Sequence, residues 1–396
     1  MSCPSLRIPF VLFVLFFTSC NNDDGQYDPI SDDDQEVTDD NLALLSETFG
    51  SNIDFNNLQD YSNQPIPGYI TKDNTANNTI TNAKATLGRI LFYDTQLSSN
   101  NTISCASCHQ QGFAFGDNRD VSTGVNGTTG RHSMRLVNAR FADETNFFWD
   151  ERAATLEEQT TQPIRDHAEM GFSGQDGSPT FDDLLDKLAA TDYYPVLFEW
   201  AYGDNAISEN RLQETLAQFV RSIQSFDSRF DEGFDQAGAI GPDFPNYTDQ
   251  ENLGKRLFVN PPNQNGIGCM GCYRAPEFDI DPNSRNNGIM GVFGSTELDV
   301  TVTRSPTLRD LFGTNGLLNG AAMHDASIQD GLAILEHYNA IDVTGNTNLD
   351  NRLQGPGGNG QQLNLSADEM EAVVAFLRTL TGDNIYTDPK WSNPFQ

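Results

Sequence analysis

Basic residues are scarce in this 396-residue chain: 23 lysines and arginines stand against 56 aspartates and glutamates, for a formal net charge of −33. That imbalance excludes nucleic acid as a partner and repels an anionic surface. The apolar run from Ile8 to Phe17, behind Arg7, is too short to span a bilayer and has the form of a signal peptide covering residues 1–19. It ends in Phe17-Thr18-Ser19-Cys20, a loose bacterial lipobox in which Cys20 becomes the lipidated first residue; a plain secretory signal is the alternative. Residues 20–45 are rich in Asn and Asp with little to bury, and are read as an acidic disordered tether. Cysteine is sparse as well. Of six, Cys3 leaves with the signal and Cys20 carries lipid, so four remain as two Cys-x-x-Cys pairs, which argues against a disulfide framework.

The first pair is the centre of the sequence: Cys105-Ala106-Ser107-Cys108-His109. Two thiols at this spacing add across the vinyl groups of one haem, and the adjoining imidazole falls where it ligates the iron. Cys105 and Cys108 are therefore cofactor-binding candidates and His109 the iron ligand of a haem c. A redox Cys-x-x-Cys or half a zinc site needs a thioredoxin-like context or a second Cys/His pair, and neither is present. The second pair reads Cys269-Met270-Gly271-Cys272-Tyr273. Cys269 and Cys272 keep both thioether anchors, so two haems are expected, but tyrosine stands in the axial position. Tyrosinate ligates iron in catalase-type sites, and an anionic oxygen donor favours ferric iron. The alternative is a poorly held haem, or one that takes His324, His337 or Tyr338 instead.

The surroundings of the two pairs repeat. Thr86-Leu87-Gly88-Arg89-Ile90-Leu91-Phe92 precedes the first and Leu253-Gly254-Lys255-Arg256-Leu257-Phe258 the second, each reading as an amphipathic helix. Ser133 to Asn138 has the shape of Ser305 to Asp310, and Trp149-Asp150 is echoed by His324-Asp325. Each copy closes with a helix, striped by Leu212, Leu216, Phe219, Val220 and Ile223 or by Met370, Val373, Val374, Leu377 and Leu380. Thr248 with Glu251, and Ser366 with Glu369, spell capping boxes. Phe230 to Tyr247 shows no helical period, which puts a boundary near Gly241, between domains at 46–240 and 241–396. Sheet signals are few, and Gly345 to Gln362 reads as loop. The pattern predicts duplication of a small helical haem domain.

A further signature follows the first pair: Phe147-Phe148-Trp149-Asp150-Glu151-Arg152-Ala153, then Leu156-Glu157-Glu158-Gln159, Pro163 and Glu169-Met170-Gly171. With the doubled haem module, it resembles the bacterial di-haem cytochrome c peroxidase family, whose MauG-like members oxidise tryptophans of partner proteins. The resemblance runs from about Leu42 to Gly382. It implies an all-α fold of two cytochrome c-like haem domains, the peroxide-reacting haem first and the electron-accepting haem second, with calcium a further candidate at their junction. Carried over, Glu169 and Gln159 are catalytic residues on the distal side of the first haem, and Trp149 is a catalytic bridge between haems. Peroxide must lose a proton from one oxygen and gain it on the other, which one carboxylate within reach can manage. On the far side of the second iron, Tyr338 is the first candidate ligand and Met323 the second, although lone methionines are usually core filler.

The chain departs from the family in two places. Tyr273 is one. The other is the loop Gly116 to Gly130, where several members shut the resting first haem with a histidine and this chain has none. An open first haem is expected, and His132, aligned with the segment that helps hold calcium in the family, leaves that ion open to question. The expected activity is reduction of hydrogen peroxide to water with electrons from a small cytochrome or cupredoxin, a donor whose basic patch this acidic chain would steer in. The alternatives are MauG-like oxidation of a partner protein, and electron transfer without peroxidase activity. The expected address is the envelope of a Gram-negative bacterium, periplasmic or at the outer membrane, with membrane contact only through the lipid anchor.

Overall fold

Two pairs of helices, each crossing at a glycine, organise the computed structural model, which describes residues 39–395. The signal sequence, Cys20 and the tether up to residue 38 lie outside the described residues. In chain order the helices are α1 (Asp39–Phe49), α2 (Asn82–Tyr93), α3 (Cys105–Cys108), α4 (Leu156–Arg165), α5 (Phe181–Ala189), α6 (Tyr194–Tyr202), α7 (Glu209–Ser222), α8 (Arg229–Ala237), α9 (Asp249–Val259), α10 (Gly331–Asn339) and α11 (Ala367–Arg378). Among the described residues the strands are β1 (Tyr273–Arg274) and β2 (Asp279–Ile280), antiparallel with Tyr273 opposite Ile280. The fold is helical, and no described helix is long and apolar enough to cross a membrane.

Thr81 starts α2 by accepting a hydrogen bond from the Lys84 amide. From Ala85 to Phe92 every side chain of α2 is buried, as expected of a helix enclosed on all sides. Its neighbour α7 carries the predicted stripe, with Leu212, Leu216 and Phe219 at or near zero exposure. The two approach so closely that a Cβ on Gly88 would lie 2.0 Å from the Thr215 carbonyl oxygen. The second half repeats the device. There α9 and α11, begun by the Thr248/Glu251 and Ser366/Glu369 capping boxes, cross where a Cβ on Gly254 would lie 1.8 Å from the Ala372 oxygen. Backbone atoms on both sides leave nothing free to rotate away. Gly88→Ala and Gly254→Ala are each expected to cost about 1–3 kcal/mol or more, read as a lower denaturant midpoint, because the helices must separate.

Two apolar clusters result, one around α2 and α7 and one around α9 and α11. Three segments behave differently from the reading of the sequence. The end of the stretch read as tether is helical: α1 turns Leu45 and Phe49 into the first cluster, with Leu42 packed beside them. The stretch from Phe230, read as aperiodic, begins with α8, whose Ser228/Asp231 capping box and i, i+4 pair Phe230 and Phe234 attach it to the second cluster. The residues after α11 return to the first cluster through Ile385 and Trp391. Tyr61 and Tyr93 donate to the carbonyls of Lys390 and Trp391, and Arg89 Nε donates to that of Ser392. Trp200 and Trp391 are buried packing residues.

Candidate active site

The thiols of α3 face a cavity of about 490 Å³. Ser104 and Ser107 form the capping box that begins this single turn, and His109 follows it. Residues 110–116 then fold back, with Ala114 and Phe115 in left-handed backbone, and present the Phe115 carbonyl 3.0 Å from His109 Nδ1. A carbonyl only accepts, so Nδ1 carries the hydrogen and Nε2 keeps its lone pair, the tautomer of a metal-ligating imidazole whose other nitrogen is held in place. Burial pushes the Cys105 thiol up to about 12 and that of Cys108 to about 11. A redox-active pair needs the opposite shift. Among the described residues no group of three or more His, Cys, Asp or Glu side chains could hold a metal ion, which gives calcium no support. A cavity of cofactor size, a thiol pair in its wall and an oriented imidazole fit haem c.

The opposite wall comes from α4 and the turn after it. Gln159, Thr160 and Pro163 line the cavity, and Pro163 lacks the N–H that would bond the Gln159 carbonyl. Asp166 ends the helix, and its Oδ1 accepts from the amides of Ala168 and Glu169 at 2.8 and 3.0 Å, turning the chain so that Glu169 and Met170 line the same space. Burial raises the Glu169 carboxyl to about 7; the Asp166 charge adds to this and that of Arg152 opposes it. The loop without histidine packs on this turn, since the Val125 and Asn126 amides donate to the carbonyls of Glu169 and Ala168. Gly124 fits only as glycine, a Cβ there lying 2.0 Å from the Ala168 oxygen.

A second cavity of about 390 Å³ is lined by Cys269, Cys272, Tyr273, Met323 and Tyr338. Burial pushes the two thiols up to about 12 and 11 and the Tyr273 phenol to about 12, against a hydrogen bond with the Ser305 hydroxyl. Two thiols and a phenol in one wall fit the thioether anchors and oxygen donor of a second haem. Tyr338 and Met323 converge on one amide: Asn287 Nδ2 is 3.4 Å from the Tyr338 hydroxyl and 3.3 Å from the Met323 sulfur. Of the substitutes considered for Tyr273, His324 faces the first cavity, and His337 lines neither and donates from Nε2 to the Asn287 carbonyl.

Trp149 belongs to both walls. Its indole N–H donates to the His132 carbonyl at 2.8 Å, its own carbonyl accepts from the Thr303 and Arg304 amides, and the His324 ring lies 6.2 Å away. His132 Nδ1 lies 3.0 and 3.1 Å from the carbonyls of Arg119 and Asp120, so a ring N–H sits where those oxygens converge. The sequence reading missed Arg135, Ser305 and Asn287, which line the cavities from loops. The repeat of Ser133 to Asn138 in Ser305 to Asp310 was the available signal for the first two.

Residues 82–238 match the family model of di-haem cytochrome c peroxidase. The methylamine utilization protein MauG of Methylophilus methylotrophus is 28% identical over 317 residues, covering 77% of this chain and 84% of that protein. The cytochrome c551 peroxidase of Nitrosomonas europaea is 28% identical over 314 residues, 76% of this chain and 80% of its own length. Among solved structures, a MauG-like protein associated with microbial copper homeostasis superposes with a TM-score of 0.67 at 26% identity, over 84% of this chain and 99% of that one.

Proposed function

From its membership of the di-haem cytochrome c peroxidase family, to which this chain belongs, we propose that it reduces hydrogen peroxide to water in the first cavity with electrons from a small cytochrome or cupredoxin. The observation that carries this reading is Glu169, a carboxyl raised to about 7 in the wall of the cavity that holds Cys105, Cys108 and His109. Cys105 and Cys108 would tether the first haem and His109 Nε2 would ligate its iron; Cys269 and Cys272 would tether the second, with Tyr273, and Tyr338 or Met323, as its candidate iron ligands. When bound, haem supplies the iron that activates peroxide and relays electrons.

The chain's own residues do the rest. Glu169 takes a proton from one peroxide oxygen and returns it to the other, and two further protons and two electrons complete two waters. Gln159 orients the peroxide. Trp149, with its N–H already committed to a carbonyl, offers an oxidisable ring between the cavities. Trp149→Phe is expected to slow donor-supported turnover at least about tenfold, roughly 1.4 kcal/mol of barrier, while the burst of peroxide consumption in stopped flow is unchanged.

Like crossings at Gly88 and Gly254 support descent of the two halves from one haem domain. The run from Arg7 to Cys20 supports an envelope lipoprotein. A second reading keeps the haems and makes the substrate a partner protein; Tyr338 in the second cavity and the loop without histidine favour it. Pyridine haemochrome on protein matured with haem should count two covalent groups per chain, and peroxide should oxidise reduced cytochrome c in its presence. Two haems without that turnover, together with a mass change in a co-expressed neighbouring protein, would select the second reading. Absence of covalent haem would sink both.

A further inference from the structure

Arg135 stands in the wall common to the two cavities. Its stem is packed tightly, for a Cβ on Gly116 would lie 3.0 Å from Arg135 Cγ. Nη2 donates to the Thr307 carbonyl at 2.9 Å, while Nε is buried with no partner. The neighbouring arginines are spoken for: Arg131 pairs with Asp150 and Asp299, Arg152 with Asp150, and Arg352 with Asp350. Among the described residues Arg135 forms no ion pair. A guanidinium has five donors and one permanent charge, and leaving it enclosed with one hydrogen bond is costly. The acid with the largest electrostatic influence on it, Asp310, makes no ion pair with it: its Oδ1 accepts from the Gly382 amide and the Tyr386 hydroxyl, and its Oδ2 is buried without a partner. Arg304 repeats the pattern on the first cavity alone: it is buried, its Nε is unpartnered, and it donates from Nη1 to the Asn146 carbonyl.

Haem brings what these cations lack, two propionate carboxylates on one edge. We propose that Arg135 is a shared anchor that takes a propionate from each of the two haems, and that Arg304 takes the remaining propionate of the first. The planar fork can offer separate N–H groups to carboxylates arriving from two sides, which the single ammonium of a lysine cannot. The inference rests on the di-haem reading and adds an electrostatic link: one cation favours the reduced form of both irons, since reduction adds negative charge.

The test is spectroelectrochemical titration of Arg135→Gln, Arg135→Lys and Arg304→Gln, each with haem counted first by pyridine haemochrome. Arg135→Gln should lower both reduction potentials, each by about tenfold in the reduction equilibrium or about 59 mV for a one-electron couple. Arg304→Gln should lower the first alone. If Arg135→Gln loads no haem, Arg135→Lys is read instead and should lower at least one potential while haem content stays at two. Two haems with both potentials unmoved in the Arg135 variant that is read, only one moved by Arg135→Gln, or both moved by Arg304→Gln, would overturn the shared anchor and leave the peroxidase reading standing. A wild-type chain without covalent haem would remove that reading itself.

Discussion

Glu169→Gln is expected to lower peroxide turnover by about 10²–10⁴-fold with both haems still attached, the range set by loss of one positioned acid/base group. Glutamine keeps the shape and the hydrogen-bonding ends but cannot carry the proton between the two oxygens. The wild-type pH profile follows from the same carboxyl. Its proton is held up to about 7, chiefly by burial and then by Asp166. Only the ionised form accepts from peroxide, so kcat/KM should rise about tenfold per pH unit below 7 and level off above it. The variant should lose that limb of the profile. A stability measurement provides the control. Because the folded carboxyl titrates above its ordinary value of 4.5, ionising it becomes a cost as pH rises from 4.5 through about 7. Above pH 7 the glutamine variant should therefore be no less stable than wild type. If peroxide turnover survives with its pH dependence intact, Glu169 is not the proton carrier.

Replacing both Cys105 and Cys108 by serine should take covalent haem from two to one per chain and peroxide turnover to background. Replacing Cys269 and Cys272 should give the same haem count with a different loss: peroxide still reacts at the first site, but donor-supported cycling stops. The distinction arises because Glu169 and Gln159 line the first cavity, whereas the second has Tyr273, Tyr338 and Met323. Haemochrome content and steady-state oxidation of cytochrome c separate the two variants. Equal activities would mean that the chemistry is not confined to the first cavity.

What could be read in the sequence was local. The α2, α7, α9 and α11 helices announce themselves through apolar stripes, and two of them through Ser/Thr capping boxes with glutamate. The helix α8 was overlooked because its box uses aspartate and its flanks are full of Asp, Gly and Pro, which hid the Phe230/Phe234 pair. The cysteine pairs, His109, Gln159 and Glu169, which line the cavities, could be singled out in the sequence because they sit in fixed short spacings or in a signature. Arg135 was not. Its neighbour Thr307 is 172 positions away, and nothing in local spacing encodes a contact of that separation. Asn287 was hidden similarly, since its meeting with Met323 and Tyr338 depends on two loops and α10 arriving together.

The return of Ile385 and Trp391 to the first cluster has a bearing on the order of assembly. The carbonyls that satisfy Tyr61, Tyr93 and Arg89 are synthesised after the whole second half, so the first half emerges from the ribosome with an open flank. That flank closes only when the late segment arrives. Cutting the chain before Ile385 should leave the first half protease-sensitive even if its haem is already in place.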